Sequence, residues 1–401
     1  MQNNRLWFKE PAKTFMESFP VGNGRLGGML FGGVDEERIV LNESTVWSGG
    51  PQDADRKDAH RNLPEIRRLL AEGKNVEAEE LVNKTFICQG LGSNFAKGKE
   101  APFGCYQTLG DLRISCPATG QATDYMRELD LETAVARVTY RAGKVKYLRE
   151  FFASAPAQVM VLRLTADQPG KISFSATMSR PERATVRSNG KELLLEGQLH
   201  NGTDGNGVRF LARLGIKAEG GTAITEDGKI TVGNANTVTL FISVGTDFQT
   251  SDFANIANRR LAAAVDKTYA ILMQEPISDH QSFYNRVQLS LLSTANSALP
   301  VPERLAGFAA GAEDPALAAL YFQYGRYLLI SSSRPDSALP ANLQGIWAEE
   351  VQTPWNGDFH LDINVQMNYW PAGPAGLADC QLPLIRLIEG LVQPGRKTAR
   401  A

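Results

Sequence analysis

Three of the chain's five tryptophans fall within 24 residues, and polar side chains crowd between them. The stretch begins Leu343-Gln344-Gly345-Ile346-Trp347. It resumes as Pro354-Trp355-Asn356-Gly357-Asp358-Phe359-His360-Leu361-Asp362-Ile363-Asn364-Val365-Gln366-Met367-Asn368-Tyr369-Trp370. Aromatic faces interleaved with amides, carboxylates and an imidazole are what a carbohydrate site requires. Sugar C–H faces stack on rings, and the hydroxyls take paired donors and acceptors. If the segment is helical, Asn364 and Asn368 share a face at i, i+4, with Asp362 at its N-terminal lip. The same residues would also serve as a buried polar network between helices with the tryptophans as core. Pattern alone leaves both readings open.

Other candidate motifs fall away on context. Gly22-Asn23-Gly24-Arg25-Leu26-Gly27 matches G-x-G-x-x-G, but Gly28-Met29-Leu30-Phe31-Gly32-Gly33 follows it. That is a glycine-bordered strand rather than the helix a dinucleotide site needs. The expectation is an exposed tight loop between strands, with no nucleotide. The four histidines, His60, His200, His280 and His360, include no pair at i, i+3 or i, i+4, so no helix face is set up for metal. His60 sits among charges and is expected at the surface. His280 is expected to open a linker helix in a structural role. Cys88, Cys105, Cys116 and Cys380 contain no CxxC and form no disulfide scaffold.

The elements around these motifs change character along the chain. Val135 to Tyr140, Val145 to Phe152 and Val159 to Thr165 are apolar or β-branched runs of strand length. Ile172 to Ala176 alternates as a half-buried strand should. Leu193 to Leu195, Val208 to Leu214, Ile230 to Val232 and Val238 to Val244 continue the pattern between Gly/Asn/Asp clusters. This density of strands and turns predicts an antiparallel sandwich. Leu63 to Glu72 and Val76 to Val82, separated by Gly73, predict a helical insertion. Beyond Asp252 the period changes. Ala254 to Gln274 predicts one helix ended by Pro276, and His280 to Leu292 a second. Asp314-Pro315 caps a helix running to about Ile330, with Leu317, Tyr321, Tyr324 and Leu328 on one stripe. A last helix starts near Ile363, is interrupted at Pro371 and Pro374, and resumes from Leu382 to Val392.

The 401 residues suggest two or three domains. With 42 Lys+Arg against 44 Asp+Glu the chain has no basic footprint for nucleic acid. No apolar run is long enough for a membrane-spanning helix. The start, Met1-Gln2-Asn3-Asn4-Arg5, has no apolar stretch behind it and does not read as a signal peptide.

Several longer motifs resemble the α-L-fucosidases of glycoside hydrolase family 95. They include Phe19-Pro20-Val21-Gly22-Asn23-Gly24-Arg25-Leu26-Gly27, Glu37 to Glu43 with Trp47-Ser48-Gly49-Gly50-Pro51, and Tyr106-Gln107-Thr108-Leu109-Gly110-Asp111-Leu112. Tyr125 to Leu131, Asn342 to Trp347 and His360 to Pro371 extend the resemblance over essentially the whole chain. It implies a multi-domain β-then-α fold. Residues 1–252 would be an N-terminal β-sandwich with a helical insertion near 62–84, residues 253–300 a helical linker, and residues 301–401 roughly the first third of an (α/α)6 catalytic barrel. It further implies exo-acting release of L-fucose from fucosylated glycans with inversion, and no metal or cofactor. An Asn-x-Asn pair that positions the attacking water in that family falls on Asp362 and Asn364, with Asp replacing the first Asn. The carboxylate could orient the water, act as the base, or favour a related sugar such as L-galactose. His360, Trp355, Gln344 and Trp347 are candidates for the sugar pocket by chemistry and proximity in sequence.

The family's general acid and polarising Asp are expected beyond Ala401, and no carboxylate in these residues matches either. The chain alone is therefore expected to be inactive, with exposed helix faces that favour aggregation. A non-catalytic carbohydrate-binding scaffold and an α-L-galactosidase are the rival readings. The family often acts outside the cytoplasm, which the missing leader leaves open. Asn23-Gly24-Arg25 and Asn42-Glu43 are expected at the interface between sandwich and barrel.

Overall fold

The computed structural model describes residues 4–90, 97–117 and 121–401; Met1 to Asn3, at which the leader was sought, lie outside the described residues. The strands, in chain order, are β1 (Arg5–Phe8), β2 (Phe19–Gly22), β3 (Leu26–Leu30), β4 (Glu36–Glu43), β5 (Gly110–Ser115), β6 (Ala122–Asp130), β7 (Val135–Ala142) and β8 (Val145–Ser154). They continue as β9 (Val159–Ala166), β10 (Ile172–Ser179), β11 (Ala184–Asn189), β12 (Glu192–Gln198), β13 (Arg209–Glu219), β14 (Thr222–Glu226), β15 (Lys229–Ala235) and β16 (Thr237–Thr246).

They form two antiparallel sheets, of order β1-β6-β7-β8-β9-β16-β13-β12-β11 and β14-β15-β10-β5-β4-β3-β2. The period-2 pattern does what it predicted in β10, where Ile172, Phe174, Ala176 and Met178 are buried and the residues between them are not. These side chains meet Phe151, Leu162, Leu240 and Ile242 of the other sheet in one core. The helical insertion is α1 (Leu63–Ala71) and α2 (Asn75–Thr85).

The helices that follow are α3 (Phe253–Asp266), α4 (Tyr269–Tyr284), α5 (Val301–Ala309), α6 (Pro315–Ser332), α7 (Asn364–Tyr369) and α8 (Leu382–Arg400). Among the described residues no helix is long and apolar enough to cross a membrane. α3 lays Ala257, Leu261 and Ala264 against the sandwich, beside Phe241 and Phe152.

Three sequence expectations need correcting here. The helix expected over Ala254 to Gln274 is two. Lys267 and Thr268 are extended, and the Thr268 hydroxyl accepts from the Ile271 N–H as the N-cap of α4. Pro276 lies inside α4, buried, rather than ending a helix. The segment His280 to Leu292 is not a second helix, since His280 sits in the last turns of α4, which ends at Tyr284. Its end is set by a neighbour: buried Arg326 of α6 donates to the carbonyls of Tyr284 (2.8 Å), Phe283 (3.1 Å) and Val287 (2.8 Å). A guanidinium there satisfies orphan C-terminal carbonyls and complements the helix dipole.

The stripe Leu317, Tyr321, Tyr324 and Leu328 is not the buried face of α6. Its buried face carries Ala319, Leu320, Gln323, Arg326, Tyr327 and Ile330, while Tyr321 is 78% exposed. Four buried positions of α6 (Gln323, Arg326, Ser331 and Ser332) are polar, so the apolar stripe does not mark the buried face.

Candidate active site

The loop that carries the candidate residues is held from the sandwich side. The turn between β2 and β3 approaches the end of α6 so closely that the Gly24 N–H donates to Ser331 O at 2.8 Å. Ser337 Oγ returns a bond to Gly24 O at 2.9 Å. A Cβ on Gly24, which has φ +85, would lie 2.4 Å from Arg334 Cγ, and one on Gly22 would lie 2.4 Å from Ser331 O. Those two glycines of the G-x-G-x-x-G match are thus needed for close packing of backbone on helix. The turn is buried rather than exposed as expected, with Asn23 sealed by bonds to Ser154 O, Arg25 N and Leu26 N.

From there, Trp347 inserts beneath β2, its indole N–H donating to Val21 O at 3.0 Å. Asn42, fully buried on β4, takes both backbone groups of Ala348. Its Nδ2 donates to the carbonyl at 2.9 Å, and its Oδ1 accepts the N–H at 3.2 Å. Tyr106 OH donates to Ile346 O at 2.7 Å.

The next part, residues 353–364, is strained. Trp355 (φ 49), Asn356 (φ 58) and His360 (φ 46) are all left-handed. Asn tolerates that region, but such backbone at Trp and His costs about 1–3 kcal/mol each. The Tyr106 N–H donates to Asn356 O at 2.8 Å, and Thr353 Oγ1 donates to Tyr106 O at 2.9 Å. Gln352 Nε2 bonds Asn356 Oδ1 at 3.0 Å, and Asn356 Nδ2 reaches Asp358 Oδ2 at 3.4 Å. Burial raises the Asp358 carboxyl above its ordinary value, with the Asn356 bond and the nearby His360 working against that rise. His360 Nδ1 lies 3.3 Å from Asp358 O. A carbonyl only accepts, so Nδ1 donates in that contact, and Nε2 accepts when the ring is neutral.

The six nominated residues do not converge on one cavity. Gln344 and Trp347 line a cleft of about 450 Å³ with Asn368, Tyr324, Leu328, Phe15 and Met16. Gln344 Oε1 is buried there without a partner. Trp347 is largely buried and acts as a peg into the sandwich as much as a wall. His360, Trp355, Asp362 and Asn364 lie outside that cleft's lining. Trp355 is 58% exposed, an open aromatic face. Asp362 is exposed in the turn before α7, and Asn364 is that helix's first residue. Asn364 and Asn368 are one helical turn apart on α7, as the spacing predicted, and of the two Asn368 lines the cleft. Asn368 Nδ2 donates to Asn342 O at 3.0 Å, leaving its oxygen free to accept from a ligand.

Sequence reasoning missed Asp358, which lay inside the quoted cluster, and Trp47 and Tyr106, which lay in motifs given no role. Trp47 and Tyr106 meet this loop across some 250 to 300 residues of sequence. Among the described residues no group of three or more His, Cys, Asp or Glu side chains could hold a metal ion.

Residues 6–251 match the model of the glycosyl hydrolase family 65 N-terminal domain, and residues 268–401 match the glycosyl hydrolase family 95 catalytic domain. The chain thus joins a family 65-type N-terminal domain to a segment of the family 95 catalytic domain. A protein named alpha-L-fucosidase 2 from Arabidopsis thaliana is 35% identical over 99% of this chain and 50% of its own length. Proteins named probable alpha-fucosidase A are 29% identical in Aspergillus oryzae, over 99% of this chain and 57% of theirs, and 30% identical in Aspergillus niger, over 94% and 49%. The chain thus spans about half the length of the curated relatives it matches. The two antiparallel sheets followed by helices are the sandwich and the opening of the helical barrel expected for family 95.

Proposed function

We propose that the protein is an exo-acting α-L-fucosidase that works with inversion on fucosylated glycans, and that Asp362 and Asn364 hold its attacking water. The observation that carries this is the placement of the Asp-x-Asn pair. It follows a strained, sandwich-braced loop, and its Asn364 is one helical turn from Asn368, which lines a cleft with free acceptors, in a segment that matches the family 95 catalytic domain. Inversion needs a water on the ring face opposite the leaving oxygen and a protonated carboxyl on the other. Two polar side chains closely spaced at the start of a helix suit the first task. His360 Nε2 offers an acceptor to a hydroxyl, the open face of Trp355 a stacking platform, and Gln344 and Trp347 a wall. The division into residues 1–252, 253–300 and 301–401 belongs to the same proposal.

We assign the proton donor to the half of the relatives' length that the chain does not span. The 401 residues alone then bind L-fucose but do not turn over an aryl α-L-fucoside whose leaving oxygen needs protonation. Incubation with such a fucoside, beside an L-fucose titration, tests this. Turnover matching that of the Arabidopsis thaliana relative would refute the assignment of the acid. Absence of any sugar binding would refute the site.

A further inference from the structure

The strain in residues 355–360 raises the question of what keeps the loop in place. Its first part is tied down by hydrogen bonds from Tyr106 and Thr353. After Asp358 those ties stop. Among the described residues, no hydrogen bond joins the sandwich to residues 358–364, whose bonds run to Leu343, to Trp355 and Asn356 just before them, to one another, and to α7. One ring contact does cross. Trp47 of the sandwich stacks on Phe359 with centroids 5.4 Å apart and planes 21° apart. Phe359 lies directly between Asp358 and left-handed His360.

Trp47 is itself fixed on several sides. Its indole N–H donates to Ser44 O at 3.0 Å, its ring meets Tyr106 at 5.4 Å, and its backbone forms a bridge with that tyrosine. Tyr106 in turn is buried and bonded to Ile346 O and Asn356. A pair of rings on the sandwich therefore meets Phe359, next to left-handed His360, in the strained segment.

We propose that Trp47 is a positioning residue for the candidate site: by stacking on Phe359 it holds residues 358–364 in the shape that places His360, Asp362 and Asn364. This rests on the reading of those three residues as the sugar site. It gives the sandwich a share in setting the active loop, beyond support of the barrel.

Hydrogen exchange on the 401-residue chain tests the clamp without requiring turnover. In Trp47→Leu, amides of residues 355–364 should exchange about tenfold faster, the scale of an offset-stacked aromatic pair. Strands β7 to β9 should keep their protection, and Trp47→Phe should restore most of the loss. Unchanged exchange in residues 355–364, or an equal rise across the sandwich, overturns the proposal. The kinetic readout is hydrolysis of α-L-fucosyl fluoride, a substrate whose leaving group needs little protonation. Trp47→Leu should lower kcat about tenfold while KM stays within roughly threefold, as expected when geometry rather than binding is lost. Faster loop exchange with unaltered kcat would also overturn the positioning role. Asn364→Ala separates the two layers. If neither it nor the wild type exceeds the rate in buffer, the sugar-site reading falls, and exchange alone still decides whether Trp47 clamps the loop.

Discussion

His280 should make the junction between sandwich and helices sensitive to acid. Its ring is buried in α4, with Nε2 2.9 Å from Leu131 O at the end of β6, so Nε2 carries the proton. It stacks on Tyr284 (5.4 Å) and meets Tyr327 edge-on (5.8 Å), while the Tyr327 hydroxyl donates to Pro20 O at 2.7 Å. Burial pulls its pKa down from 6.5 to about 4. The Leu131 bond and Asp130 oppose that shift, and Arg326 adds to it. The folded chain thus binds this proton less readily than the unfolded chain. The associated stability is whole above pH 6.5 and is lost as pH falls toward 4. A drop from 6.5 to about 4 corresponds to about 3 kcal/mol.

Replacing His280 with Gln removes the titration while keeping a donor for Leu131 O. Urea unfolding of wild type and His280→Gln should be compared from pH 8 to pH 4. The difference between them should be flat above pH 7 and shift in the variant's favour by about 3 kcal/mol at pH 4. Taking the difference removes carboxylates common to both chains. Parallel curves over the whole range would refute the reasoning.

Three further outcomes follow from the same contacts. Asn42→Ala leaves both backbone groups of Ala348 buried without partners, so urea unfolding should show a loss of about 2–4 kcal/mol; a loss below about 0.5 kcal/mol would contradict the clamp. Ile385, Ile388, Leu391 and Val392 form an exposed apolar stripe on α8, so the chain should self-associate in sedimentation velocity, and Ile388→Lys with Leu391→Lys should reduce it. Asp362→Asn should keep hydrolysis of α-L-fucosyl fluoride and the acid limb of its pH–rate profile, if Asp362 only orients water; loss of that limb would make Asp362 the base.

The sandwich was legible because strands with one buried face alternate at period 2, as in β10 and β7, and strands buried on both faces read as apolar runs of strand length, as in β9. The helices were legible in existence and less so in extent. The break at Lys267–Thr268 depends on one hydroxyl cap, and the end of α4 depends on Arg326, some forty residues on, which no local pattern records. The buried face of α6 does not follow the apolar stripe in the sequence, because it includes the buried polar residues Gln323 and Arg326. The aromatic–amide cluster was found from composition, but its bracing was not. Trp47 and Phe359 are more than three hundred residues apart and meet only in the folded chain. The close approach behind Gly22 and Gly24 was likewise invisible, though the absence of a following helix already excluded a nucleotide loop.

The most direct test of the central claim is the anomer first released from α-L-fucosyl fluoride, followed by 1H NMR with wild type and Asn364→Ala side by side. A water held by Asp362 and Asn364 opposite the leaving group predicts β-L-fucose as the first product, and a release rate at least about a hundredfold lower in the variant. α-L-Fucose as the first product, or equal release by the two proteins, would contradict it.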